Sequence, residues 1–221
     1  GKMKVIVFSY NREEMLRKVV ALLVSCDIDY HVLDDGSDFD LAAFIPRDRF
    51  TRFKHGGKQS FWKKFAYAFD LCKRSEHNTF AFIQDDLMDV DYKTMQEIGS
   101  QWVNKLYCMH LCNDGREYCW GRFQMGVKPI HYGANTLVEV GFCDCIFMTN
   151  RKTLEDLTID PVPSVWFDRP DKSSGVGAQL TEKLRRSGVP MVKPLKSLCY
   201  HGDHPSTMHG AHRKVMPLIT K

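Results

Sequence analysis

"FAFIQDDLMDVDY", residues 80–92, sets an apolar run directly against two adjacent carboxylates. Phe80, Phe82 and Ile83 read as a buried strand, and Asp85 and Asp86 sit where that strand must leave the core. Two neighbouring negative charges at a core edge repel each other and resist desolvation. Three arrangements account for such a pair: a site for a hard divalent cation, a general acid/base pair, or a solvated turn.

The flanking sequence turns this stretch into one unit of a series. Upstream, "SFWKKFAYAFDLCKRS" has helical spacing through Phe61, Phe65, Ala68, Phe69 and Cys72, and downstream "DYKTMQEIGSQWV" reads as another helix. At the beginning of the chain, "KVIVF" (residues 4–8) is a short apolar strand ending at "SYNRE". Residues 12–25 then carry an apolar helical face through Met15, Leu16, Val19, Val20, Leu22 and Leu23, followed by "DYHVLDDGSD", a strand and an Asp/Gly/Ser turn. The first hundred residues therefore read β-α-β-α-β-α, the pattern of a parallel sheet covered by helices. Such sheets bind ligands at the carboxyl ends of their strands. All three strands here end in polar, ligand-capable residues: Ser9 to Arg12, Asp34 to Ser37, and Asp85 with Asp86.

Beyond residue 105 the alternation breaks down. "GRFQMGVKPIHYGANTLVEVGFCDCIFMTNRKTLEDL" suggests a few antiparallel strands and a short helix over 151–157. "GVGAQLTEKLRRSG" is a helix with a glycine stop, and "MVKPLKSLCYHGDH" a final strand running into a His-rich loop. The expected class is α/β: a mostly parallel twisted sheet flanked by helices, with a small antiparallel part in the second half. The expected organisation is one domain over 1–221, with a nucleotide-binding half (1–104) and an acceptor-side half (105–221).

Composition fits an ordinary globular chain. It has 221 residues, 43% hydrophobic and 26% charged, and a chain this long buries roughly 70% of its unfolded surface without staples. There is no apolar run near 18 residues and no signal-peptide pattern, so a cytoplasmic protein with no membrane partner is expected. The eight cysteines then read as reduced thiols. Cys108, Cys112 and Cys119 with His110 form a possible zinc cluster, with His131, Cys143 or Cys145 as a fourth ligand; free cysteines are the alternative. The net charge of +4 suits an anionic ligand or a nucleic acid.

In order and spacing, "VIVFSYNREEMLRKVVALL", "YHVLDDGSD" and "FAFIQDDLMDVDY" together resemble the GT-A fold glycosyltransferases, which use nucleotide-sugar donors. The third segment is closest in form to the Glu-Asp-Asp version of the animal N-acetylglucosaminyltransferases acting on N-glycans. The resemblance covers most of 3–95 and returns at "EKLRRSGVPMVKPLKSLCYHGDH". It implies a hexosyl- or pentosyltransferase drawing on a nucleotide-sugar, a UDP-sugar above all, with Mn2+ or Mg2+.

By position, the likeness assigns Ser9, Tyr10, Asn11 and Arg12 to the nucleotide pocket and Asp35 to the base edge, with Asp34, Gly36 and Ser37 shaping the turn. Gln84 stands where the family has an acid. Asp86 becomes the direct metal ligand, and Asp85 faces ribose or donor sugar. Lys58 or Lys63 in "GGKQSFWKK" would touch phosphate. His201, with His204 second, would be a further metal ligand on a loop closing over the diphosphate, and Arg213 would pair with phosphate. The acidic pair that inverting members carry at the start of the last helix is replaced by Val176-Gly177, leaving Asp171 or Asp168 as the base; the alternative is that these acids cap or precede the helix and the chemistry retains configuration.

The whole also loosely resembles small bacteriophage-encoded glycosyltransferases, some of which modify hydroxylated bases in DNA; that likeness implies a host cytoplasm. DNA is one acceptor reading, supported by the aromatic-basic run "FWKKFAY"; a glycan, a polysaccharide or a small molecule are the others. A nucleotidyltransferase or a zinc or nucleic-acid module are the rival classes.

Overall fold

The computed structural model describes residues 3–112, 129–132, 135–166, 174–201, 204–205 and 212–213. The first half runs β1 (Met3–Ser9), α1 (Glu13–Ser25), β2 (Asp29–Asp34), β3 (Phe50–Arg52), α2 (Phe61–Arg74), β4 (Thr79–Gln84), β5 (Leu87–Met88) and α3 (Tyr92–Gln101). The second adds β6 (Cys108–His110), β7 (Pro129–Tyr132), β8 (Asn135–Glu139), β9 (Phe147–Asn150), α4 (Arg151–Leu154), α5 (Val176–Arg186), β10 (Met191–Pro194), β11 (Tyr200–His201), β12 (His204–Pro205) and β13 (His212–Arg213).

Among the described residues, nine strands form one sheet in the order β3-β2-β1-β4-β9-β6-β10-β8-β7. β3, β2, β1 and β4 are mutually parallel; β9 enters antiparallel between β4 and β6. The expected α/β class with a parallel first half and antiparallel strands in the second is what the chain adopts. A single sheet passes through both halves, since β4 of the first pairs with β9 of the second.

Three layers follow from how the strands alternate. Val5, Val7, Val32, Ala81 and Ile83 pack on one face against Leu16, Val19, Val20 and Leu23 of α1 and Met95 and Ile98 of α3. Ile6, Phe8, Leu33, Phe80 and Phe82 pack on the other against Phe61, Phe65, Ala68 and Phe69 of α2 and Leu180 and Leu184 of α5. Covered on both faces, β1 and β4 need apolar side chains at consecutive positions, which is why they read as unbroken runs. On the α2 side Phe65 stacks on Phe8 with ring centroids 4.5 Å apart. The glycine stop of α5 is a Schellman turn: Gly188 has φ +66°, its N–H meets the Arg185 carbonyl, and that of Val189 reaches back to Leu184.

Three readings differ from the structure. β3 lies in what reads as a polar connection, the helix expected over 151–157 ends at Leu154, and "MVKPLKSLCYH" is not one strand. β10 ends at Pro194, and β11 forms a separate two-stranded ribbon with β5, placing Tyr200 opposite Met88 and His201 opposite Leu87.

Candidate functional site

The carboxyl ends of β1, β2 and β4 meet at one edge of the sheet. In register, Phe8 is level with Leu33 and with Gln84, so Ser9, Asp34 and Asp85 emerge side by side.

The first exit, from β1 into α1, is a tight turn. Asn11 takes φ +48°, a left-handed conformation that Asn tolerates better than most side chains. Its N–H donates to Ser37 Oγ at 2.8 Å, and its Oδ1 accepts from the Asp38 N–H at 2.8 Å. This clips the turn to the β2 exit.

There, fully buried Asp34 accepts from the Gly36 and Ser37 amides at 3.1 and 2.8 Å and from the hydroxyls of Ser37 and Ser9 at 2.6 and 3.0 Å. A carboxylate so saturated shapes the turn rather than meeting a ligand. Gly36 has φ +80°, and a Cβ there would stand 2.8 Å from the His55 backbone nitrogen. Only glycine lets the 53–57 segment come this close.

Asp35 points into that segment. Its carboxylate accepts from the Gly56 and Gly57 amides at 3.1 and 2.9 Å, and it pairs with Lys64 Nζ at 2.6 Å and His55 Nδ1 at 3.0 Å. The His55 ring stacks on Tyr10, with centroids 4.3 Å apart and planes 14° from parallel. Asp35 is therefore a fixed carboxylate beside an aromatic pair; it meets as many donors as Asp34 but keeps 8% of its exposure against 0%, so a base N–H reaches it only by taking the place of a present partner such as His55.

Asp85 and Asp86 leave β4 beneath the β1–α1 turn. Asp85 Oδ2 accepts from the Tyr10 N–H at 3.0 Å and Oδ1 from Arg12 Nη1 at 2.7 Å. The same Nη1 is 3.7 Å from Asp86 Oδ2. Burial pushes the Asp85 carboxyl up to about 7; Arg12 opposes this and Asp86 reinforces it. Two buried carboxylates lie side by side here, and their donors are hard oxygens. Those are the properties a Mg2+ or Mn2+ site needs when a diphosphate supplies further ligands. Among the described residues no group of three His, Cys, Asp or Glu converges to hold a metal alone. The backbone of His201 lies opposite Leu87, next after Asp86.

Other expected site residues fall as follows. Gln84 ends β4, half-buried; Lys58 lies in a single helical turn over Gly57–Ser60. Lys63 is exposed over the face of Trp62. Arg213 is in β13, opposite His204 of β12. Asp168 and Asp171 lie outside the described residues, as do Cys119 and most of the His-rich loop. At the start of α5, where the acidic pair is replaced, exposed Asp144 stands close to Gly177: a Cβ on that glycine would be 3.2 Å from its Oδ1. For the zinc cluster, Cys108 faces Cys143 with sulfurs 2.9 Å apart, and Cys112 faces Cys199 at 2.6 Å. These are two separate buried pairs.

Sequence reading missed Lys64 and His55. Lys64 had a signal: it shares the apolar face of α2 with Phe61, Phe65 and Ala68 at spacings of three and four, and a lysine there must have a partner. His55 had none.

No family model matches the chain, and no curated protein matches it either. A solved structure of TarS residues 1–349 from S. aureus matches with a TM-score of 0.58 at 13% identity, over 92% of this chain and 61% of that one. TarS is a glycosyltransferase of GT-A-like architecture. The fold is GT-A-like. The present chain spans about three fifths of the TarS chain it matches. In a GT-A-like fold the edge just described, where β1, β2 and β4 end, is the expected place for a ligand. Among the described residues no helix is long and apolar enough to cross a membrane.

Proposed function

We propose that this protein is a metal-dependent glycosyltransferase that moves a sugar from a nucleotide-sugar, a UDP-sugar in the first instance, to an acceptor hydroxyl. The observation that carries the reading is the convergence at one sheet edge of an oriented base-site carboxylate, Asp35, and a buried carboxylate pair, Asp85 and Asp86. The β1–α1 turn joins them.

Asp35 accepts the base N–H, while Tyr10 and His55 supply ring faces. Asp86 and His201 would hold Mn2+ or Mg2+, which would supply positive charge to offset the diphosphate leaving group. Asp85 orients the nucleotide turn through the Tyr10 amide. The acceptor oxygen attacks the anomeric carbon, the bond from that carbon to the diphosphate oxygen breaks, and the acceptor proton passes to a carboxylate. Asp168, Asp171 and Asp144 are the candidates for that base. The β1–α1 turn, "SYNR", is not the Gly-rich basic loop a nucleotidyltransferase uses.

The acceptor is a hydroxyl of a hydroxylated DNA base or of a glycan. Phe61, Lys64 and Phe65 of "FWKKFAY" are core, so the DNA reading rests on net charge.

A melting screen with nucleoside diphosphates and Mn2+, followed by turnover of the preferred nucleotide-sugar, tests the proposal. Stabilisation by UDP with Mn2+, abolished in Asp35→Asn, is expected, with release of UDP rather than pyrophosphate. Hydroxymethylated duplex DNA and an oligosaccharide form the acceptor arms. If no nucleotide shifts melting with or without metal, the proposal is wrong.

A further inference from the structure

Arg12 is placed unusually for a residue that opens a helix. It stands immediately before α1, and its side chain does not cap that helix. Instead its guanidinium turns back to the end of β4, where one nitrogen lies 2.7 Å from Asp85 and 3.7 Å from Asp86. The three side chains keep 11%, 3% and 0% of their exposure. Two buried carboxylates thus share this cation, and Asp86 has no surface through which a hydrated metal ion could reach it.

We infer that Arg12 is a built-in counter-ion, occupying the place of the divalent cation at Asp85–Asp86 in the donor-free protein and passing to the diphosphate when nucleotide and metal enter together. The inference rests on the proposed nucleotide-sugar reading and adds a regulation of that site: metal and Arg12 compete for the same carboxylates. Arginine suits both positions, because its planar fork matches carboxylate and phosphate alike. Its long stem lets the head change partners while the backbone stays clipped by Asn11. When Arg12 leaves, Asp85 retains the Tyr10 amide. Linkage then requires that the nucleotide raise metal affinity and the metal raise nucleotide affinity by the same factor.

The test is Mn2+ binding, read from the electron paramagnetic resonance signal of free Mn2+, in the wild-type chain and in Arg12→Gln and Arg12→Lys, each with and without UDP. Gln keeps a donor for Asp85 without the charge; Lys keeps the charge. Without UDP, Arg12→Gln should bind Mn2+ about tenfold more tightly than wild type, and Arg12→Lys should not. With UDP, wild type should gain strongly in Mn2+ affinity, whereas Arg12→Gln should gain about tenfold less. Should the Gln variant not fold, side-chain NMR of 15N-labelled Arg12 in wild type decides. Its resonance should move with UDP plus Mg2+ and stay in place with Mg2+ alone. Unchanged or weaker Mn2+ affinity in Arg12→Gln, or an Arg12 resonance indifferent to UDP plus Mg2+, overturns the inference. If wild type still binds Mn2+ with UDP, the proposed function survives that result. If neither chain binds Mn2+ even with UDP, the inference and the metal reading fall together, while UDP binding by itself would still support a nucleotide site.

Discussion

Lys64→Met is the sharpest test of how Asp35, the carboxylate proposed for the base, is held. Lys64 Nζ is 2.6 Å from Asp35 Oδ1 and 2.9 Å from Ser60 Oγ, with 5% of its side chain exposed against 11% for Asp35. Removing one partner of a buried pair costs about 3–5 kcal/mol, because the remaining charge keeps its desolvation penalty and loses its compensation. Asp35 retains the Gly56 and Gly57 amides, and methionine keeps the apolar stem of the lysine in the α2 interface. The low end applies, about 3 kcal/mol. For a chain of this size that lowers the melting temperature by about 6–12 °C.

Asp35→Asn removes the opposite charge and leaves Lys64 with Ser60, for about 2 kcal/mol. The double variant should lose less than the sum of the two, by about 1.5 kcal/mol or more, since the second change removes a charge already stranded by the first. Urea unfolding of the four proteins gives the cycle. In the same proteins, Lys64→Met should bind UDP about tenfold more weakly, because the carboxylate is no longer fixed where the base needs it. A Lys64→Met protein within 0.5 kcal/mol of wild type, or a double variant equal to the sum, would refute the claim that this pair is a unit.

Asp86→Ala should still fold, since Arg12 keeps Asp85 at 2.7 Å when Asp86 is gone, and should lose Mn2+-dependent UDP binding; calorimetry retaining that binding would remove Asp86 from the metal site. Gly36→Ala should cost about 1–2 kcal/mol, from the left-handed backbone and the clash with the His55 amide, and should weaken UDP binding in proportion to how far His55 moves from Tyr10. The half-buried ring of His31 has its pKa lowered to about 4, by burial first and then by Lys4. Its neutral form is the folded form, so the stability it protects is complete above the unfolded value near 6.5 and is lost as pH falls through 6.5 toward 4. Allowing for solvent around a half-buried ring, the loss is on the order of 1–2 kcal/mol. His31→Gln should flatten the urea midpoint across that window, and an unchanged slope would exclude His31 as its source.

The sheet and the edge where its polar strand endings meet were legible because burial on both faces leaves β1 and β4 no choice but consecutive apolar residues, and because those endings interrupt the runs abruptly. β3 was not legible: three residues at the sheet edge, none of them buried, carry no period to detect. The two partners of the Arg12 contact were also legible separately, Arg12 and Asp85–Asp86 each as part of a polar strand ending. Their contact was not. It spans 73 positions and depends on the parallel register of β1 with β4, in which Phe8 is level with Gln84. A shift of one residue would turn Asp85 to the opposite face of the sheet and take it away from both the Tyr10 amide and the Arg12 guanidinium. Nothing in either strand specifies that register by itself. It follows from which faces α1 and α2 must cover: Val5 and Val7 toward α1 require Ala81 and Ile83 beside them, and Ile6 and Phe8 toward α2 require Phe80 and Phe82. The core that sets the register is therefore also what brings a cation onto the two carboxylates: the acid pair at the core edge meets the Arg12 guanidinium from within the chain.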